Sequence, residues 1–320
     1  MPDIKVKYRP KKFKTFLGND ETVETIKELL DAGKLPHCIL LTGPRGCGKT
    51  TLGRIIRKEL NCGDGDYKEL DTAVFRGIGT VRDLRDTLVY SPKNGDCKVY
   101  LIDEVHMLGK GGSSEKNEAQ NAILKSLEEP PDYVYWILCT TNPEMLLPTI
   151  RSRSTEFRVG PLDLKGTTKL VKRVAKGEKK EVSKPVIKKL HKVSYGMPRD
   201  SLTLLGKIIN LKSDKKKIKT LKAENLEENA EIIELCRALM AEGSDWDACR
   251  KILKSLAKQD ILPEDIRRAV MGYANTVLIN GNEQGSYILG WFVYKPTYDA
   301  GWPMITQFSY NVCKRIEPPC

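Results

Sequence analysis

The chain has 320 residues, 40% of them hydrophobic and 30% charged, with a formal net charge of +12. That is the composition of a globular chain with room for two or three domains. No apolar run approaches the roughly 20 residues that span a bilayer, and the basic start "MPDIKVKYRPKKF" lacks the apolar core of a secretory signal. Nine cysteines without a C-x-x-C pair fit neither a zinc module nor a disulfide framework, so a reducing cytosol is the expected compartment. The charge is concentrated in residues 165–222, which hold 19 Lys/Arg against 4 Asp/Glu, while the remainder is slightly acidic. Such a run is either a solvated helical face or a contact for a polyanion.

In chain order, "HCILLTG" (37–43) is a short apolar run ending in glycine and predicts a buried strand. "TLGRIIRKEL" (51–60) has apolar residues at helical spacing. "CKVYLID" (97–103) predicts a second strand, "EAQNAILKSLEE" (118–129) a helix stopped by two prolines, and "YVYWILCTT" (133–141) a third strand. Strands this apolar, alternating with helices, predict a parallel sheet covered on both faces. Residues 161–212 read as helices only, 213–229 as a polar linker, and the chain from 230 to 320 as helices again. The expected organisation is therefore an α/β domain over 1–160, a small basic helical domain, a linker and an all-α C-terminal domain.

"GPRGCGKT", from Gly43 to Thr50, fits G-x-x-x-x-G-K-[ST] between a predicted strand and helix, the context a phosphate-binding loop requires. Gly43, Pro44, Arg45, Gly46, Cys47 and Gly48 form the bend, and glycines let its N–H groups converge on phosphate oxygens. The following helix adds its positive end. Lys49 is expected to neutralise the β/γ-phosphates, Thr50 to offer a hydroxyl to Mg²⁺, and Thr51 to close the binding segment. Cys47 is expected to be a small filler. "VYLIDEVHML" (99–108) places acids at a strand's C-terminal tip, where open α/β sheets bind ligands. Asp103 is expected in the Mg²⁺ shell, and Glu104 is expected to orient or deprotonate an attacking water. His106 is expected to be structural.

With these motifs the chain resembles AAA+ ATPases, and specifically clamp loaders of the γ/τ type found in bacterial DNA polymerase III. The small subunits of replication factor C are similar but less close. The resemblance rests on "KYRPKKFKTFLGND" (7–20), "VYLIDEVHML", "NAILKSLEEPP" and "ILCTTNP", and it covers residues 5–212. It implies a P-loop AAA+ domain with a helical lid and a C-terminal collar that holds a five-subunit ring. Tyr8, Arg9 and Pro10 would lie near the adenine, Thr141 would be sensor 1, and Arg199 in "YGMPRDSL" would be sensor 2. "RSRS" (151–154) matches the family's Ser-Arg-Cys motif with Ser154 in place of cysteine, which makes Arg153 the arginine finger. The implied activity is clamp- and DNA-stimulated ATP hydrolysis that places a sliding clamp on primer-template DNA, in a bacterial or phage-infected cell.

The γ/τ proteins carry a four-cysteine zinc module after the P-loop helix. Here "NCGDGDYKELD" (61–71) keeps only Cys62, so no structural zinc is expected. The loop "GKGGSSEKNE" (109–118) is longer than in γ/τ; the resemblance implies a place near DNA, which makes Lys110 and Lys116 candidates for DNA phosphates, the alternative being a plain surface loop. "GIGTVRDLRDTLVYSP" (77–92) corresponds to the helix that touches the clamp. Arg82 and Arg85 are candidates for DNA, and Leu88, Val89 and Tyr90 for the clamp. Two rival readings are a non-hydrolysing scaffold subunit and another DNA-dependent AAA+ ATPase of the branch-migration or initiator type.

Overall fold

A computed structural model describes residues 3–72, 87–108, 113–223, 230–241, 243–259, 261–293 and 301–318. For residues 113–119, 122 and 223 the description is of the backbone alone. The chain forms two compact units, residues 1–211 and 212–320.

In the first unit α1 (Ile4–Lys7) and α2 (Asp20–Asp31) precede β1 (Cys38–Thr42), α3 (Lys49–Glu59), β2 (Tyr67–Asp71) and β3 (Lys98–Asp103). Then come α4 (Ser113–Glu128), β4 (Val134–Thr140), α5 (Pro148–Ser152) and β5 (Thr155–Arg158). Three lid helices complete the unit: α6 (Leu164–Gly177), α7 (Lys184–Ser194) and α8 (Pro198–Ile208).

The five strands are all parallel, in the order β2-β3-β4-β1-β5. Side chains alternate between the faces of a strand, and two apolar layers result. Ile39, Leu41, Leu101 and Ile137 join Leu52, Ile55 and Ile56 of α3 on one face. Leu40, Tyr100, Trp136 and Leu138 join Ile123 and Leu127 of α4 on the other. Gly53 lets α3 lie close to the sheet: a Cβ there would stand 2.5 Å from Leu101 Cδ1 and 3.1 Å from Ile137 Cγ2. Gly53→Val is therefore expected to cost about 1–3 kcal/mol through overpacking, read as a lower urea midpoint of the first unit.

Two expectations need correction. Residues 113–118, expected as part of a loop, are the first turns of α4. Lys116 is thus on a helix, with its side chain outside the described residues, and Lys110 lies outside them altogether. The expected linker 213–229 contains a helix, α9 (Asp214–Ala223). Lysine is a good helix former, and α9 has an apolar anchor in Leu221, which is fully buried.

The second unit continues with α10 (Ala230–Met240), α11 (Trp246–Leu256), α12 (Pro263–Ile279), α13 (Gln284–Val293) and α14 (Gly301–Cys313). Leu235, Leu239, Leu253, Ile266, Phe292, Ile305 and Phe308 form its core. In α14, Phe308 is buried and Trp302 lies against the same core. Inside, Arg267 grips Glu264 through two nitrogens and also donates to the Phe292 carbonyl, so this buried ion pair is well satisfied.

Candidate functional site

The tip of β1 turns into the glycine loop. Gly43, Gly46 and Gly48 have φ of +138°, +85° and +112°, a region that side chains resist. At Gly43 the constraint is also steric, because a Cβ would sit 2.0 Å from the Val159 carbonyl oxygen. Pro44 and Arg45 are exposed on the outer bend. Cys47 is buried and its Sγ donates to the Pro44 carbonyl at 2.9 Å. Burial pushes its thiol up, which disfavours a reactive thiolate there. Gly48 precedes α3, whose first residue Lys49 is only 5% exposed. Lys49 Nζ donates to the carbonyls of Gly43 and Pro44 at 2.8 and 3.1 Å. The ammonium is thus held inside the loop's own curve. Thr51 follows Thr50, half-buried on α3.

β4 separates β1 from β3, yet the start of α3, which follows the loop from β1, reaches the tip of β3. Thr50 Oγ1 donates to Asp103 Oδ2 at 2.8 Å. These are hard oxygen donors, the type that Mg²⁺ takes from a protein. Burial pushes the Asp103 carboxyl above its usual range, a desolvation cost that a bound cation would offset. Glu104 adopts φ +50°, an uncommon conformation for a non-glycine residue and one that recurs at functional sites. Its Oε2 accepts from the Thr141 hydroxyl at 3.0 Å and the Thr141 N–H at 3.2 Å.

Two neighbours of Glu104 stand outside the expected site. His106, expected to be structural, has its Nδ1 3.4 Å from Glu104 Oε2 and 2.8 Å from Thr140 Oγ1. Thr72, fully buried just after β2, donates its hydroxyl to the carbonyls of Asp103 and Glu104 at 2.9 and 2.6 Å. It fixes the backbone that carries both acids.

The lid closes one side of the loop. Arg199, at the start of α8, donates its N–H to the Gly46 carbonyl at 3.2 Å. The N-terminal segment is tied to the same lid. Tyr8 Oη and Lys7 Nζ both donate to Glu178 Oε1, at 2.8 and 2.7 Å, and Arg173 donates to the Thr15 carbonyl. Tyr8, Arg9 and Pro10 are half-buried. Burial and the guanidinium groups of Arg54 and Arg199 hold Arg9 below its ordinary value. Three arginines thus stand near one another with one acidic partner, Glu69 on Arg54, which favours an anion.

Arg153 lies apart from this constellation. It caps α5 and bonds to Glu128 and to the Thr149 carbonyl. Of the three clamp candidates, Leu88 is a correction: it is 7% exposed and packs in the sheet-face core. Val89 and Tyr90 remain open, at 80% and 67% exposure. Arg82 and Arg85 lie outside the described residues. Among the described residues, no group of three or more His, Cys, Asp or Glu could hold a metal ion, and no helix is long and apolar enough to cross a membrane.

A five-stranded parallel sheet with a glycine loop on β1, paired acids on β3, a threonine on β4 and a helical lid defines a P-loop domain of the AAA+ class. The RuvB Holliday junction branch migration motor of Thermotoga maritima has this fold: TM-score 0.56, 22% identity, over 78% of this chain and 85% of that one. The profile of the Rad17 P-loop domain matches residues 5–70, and that of the DNA polymerase III delta subunit matches residues 71–163. The gamma subunit of DNA polymerase III from Buchnera aphidicola (Schizaphis graminum) is 32% identical over 286 residues, 82% of this chain and 77% of that protein. The chain belongs to the family of DNA polymerase III gamma and gamma/tau subunits. The gamma/tau subunit of Mycobacterium tuberculosis H37Rv is 34% identical over 226 residues, 63% of this chain. The chain spans only 38% of that relative's length.

Proposed function

We propose that this chain is an ATP-hydrolysing subunit of a sliding-clamp loader, working in a ring of five subunits to place a clamp on primer-template DNA. The observation that carries the reading is the joined set Lys49, Thr50, Asp103, Glu104 and Thr141 within one loop-and-strand-tip constellation. A scaffold subunit without hydrolysis has no use for all five.

Lys49 would exchange its two carbonyl partners for phosphate oxygens. Thr50 and Asp103 would hold Mg²⁺, which supplies neutralising charge to the phosphates. Glu104 would orient or deprotonate water, with Thr141 and His106 setting the direction of its carboxylate. Arg199, bonded through its N–H to Gly46, would transmit the state of the loop to the lid. Tyr8, Arg9 and Pro10 would line the base. Arg153 would act on the nucleotide of a neighbouring subunit, and Val89 and Tyr90 would meet the clamp. Arg82, Arg85, Lys110 and Lys116 would meet DNA phosphates. The cytoplasm of a bacterial or phage-infected cell is the proposed location.

Native mass measurement tests the assembly: the chain, mixed with its partner subunit, the clamp and ATP, is expected to give a five-subunit ring bound to clamp. ATP-independent monomer under all mixtures would overturn the reading. Because residues 61–71 keep a single cysteine, Cys62, too few for a zinc module, elemental analysis of the purified chain is expected to find no stoichiometric zinc.

A further inference from the structure

Glu128 occupies a position that local physics disfavours. It is the last residue of α4, where the carbonyl end of the helix dipole repels an anion. Glu129 follows it and adds a second negative charge. A residue that breaks a local rule often serves something beyond its own element.

What compensates Glu128 is Arg153. Glu128 Oε1 lies 2.7 Å from Arg153 Nη2, and Arg153 Nη1 donates to the Thr149 carbonyl at 3.1 Å. The guanidinium is therefore gripped from two sides, yet its side chain stays 36% exposed and that of Glu128 45%. The turn beneath is itself anchored. Arg153 N–H donates to the Ile150 carbonyl at 3.3 Å, and the Ser154 hydroxyl donates to the same carbonyl at 2.8 Å while touching Cys38 Sγ at 3.0 Å. Ser154 thus does the anchoring at the position where the Ser-Arg-Cys motif has cysteine.

An exposed ion pair adds little to stability. Its effect is to restrict the rotamers of a long, mobile side chain. We infer that Glu128 is a positioning residue for Arg153, holding the guanidinium pre-oriented at the surface for the neighbouring subunit's phosphates. This rests on the proposed role of Arg153 in trans. Two of the guanidinium's five N–H groups meet protein partners, through Nη1 and Nη2. Others stay available to an incoming anion. A finger already ordered in this way reaches the transition state without first losing its freedom.

A double-mutant cycle in the assembled complex, stimulated by clamp and DNA, tests this. Glu128→Ala is expected to lower kcat by about tenfold, within the range that misplacement of a catalytic group can cost, with KM for ATP unchanged. Glu128→Gln, which keeps an acceptor for the guanidinium, is expected to restore most of the loss. In an Arg153→Ala background, Glu128→Ala is expected to add nothing, because both changes remove one unit. Wild-type kcat in Glu128→Ala alongside an inactive Arg153→Ala would overturn the inference, as would additive losses. Full turnover in Arg153→Ala would instead overturn the role of Arg153 itself.

Discussion

Arg153→Ala is expected to leave nucleotide binding by the isolated chain intact and to lower turnover of the assembled ring by about 10³–10⁵, the range for an arginine finger supplied in trans. The expectation comes from where Arg153 stands. Its side-chain hydrogen bond and ion pair go to Thr149 and Glu128, while Lys49, Thr50, Asp103 and Glu104 make their contacts among the glycine loop, the start of α3 and the tips of β3 and β4. A residue that held the nucleotide in its own site would impair binding in the isolated chain. Fluorescent-nucleotide titration of the chain alone and phosphate release by the full complex separate the two cases. Rings that mix wild-type and variant subunits should lose activity in proportion to the sites that face a variant neighbour. Lost binding in the isolated chain would contradict a role in trans.

What the sequence makes legible depends on how locally each feature is encoded. β1, β3 and β4 are buried on both faces, and their apolar runs announce them. β2 and β5 are edge strands. "YKELD" and "TEFR" keep exposed or half-exposed positions, so they carry no such run and escape pattern reading. Thr72 goes unnoticed for the same reason, since its contact with Asp103 and Glu104 exists only once β2 has been placed beside β3. The glycine loop and the acidic tip are contiguous motifs, and the fold brings them together as their spacing suggests. His106 reads as structural only by elimination. Its meeting with Glu104 depends on the left-handed turn at Glu104, which no composition or periodicity reveals. Leu88 shows the converse: beside Val89 and Tyr90 it reads as one apolar patch, yet only one of the three turns inward.

The other large effect is expected at Lys49. Its ammonium lies almost wholly inside the protein, satisfied by two loop carbonyls. A buried charge kept in this way is costly to desolvate, and its use is as a cation already aimed at the loop's centre. Lys49→Ala removes that charge from a low-dielectric site, where a preorganised electrostatic contact contributes about 10²–10³ in turnover, and also weakens attraction for the phosphates. The Gly43 and Pro44 carbonyls would lose a donor, but the three positive-φ glycines that allow the bend stay in place. The fold should therefore survive, with far-ultraviolet circular dichroism unchanged, while ATP binding or turnover disappears. Lys49→Arg would not rescue activity, because the donors of a planar guanidinium point along a fixed fork rather than converging from one ammonium. Retained turnover in either variant, measured as phosphate release in the complete complex, would remove Lys49 from the site and with it the assignment of the loop.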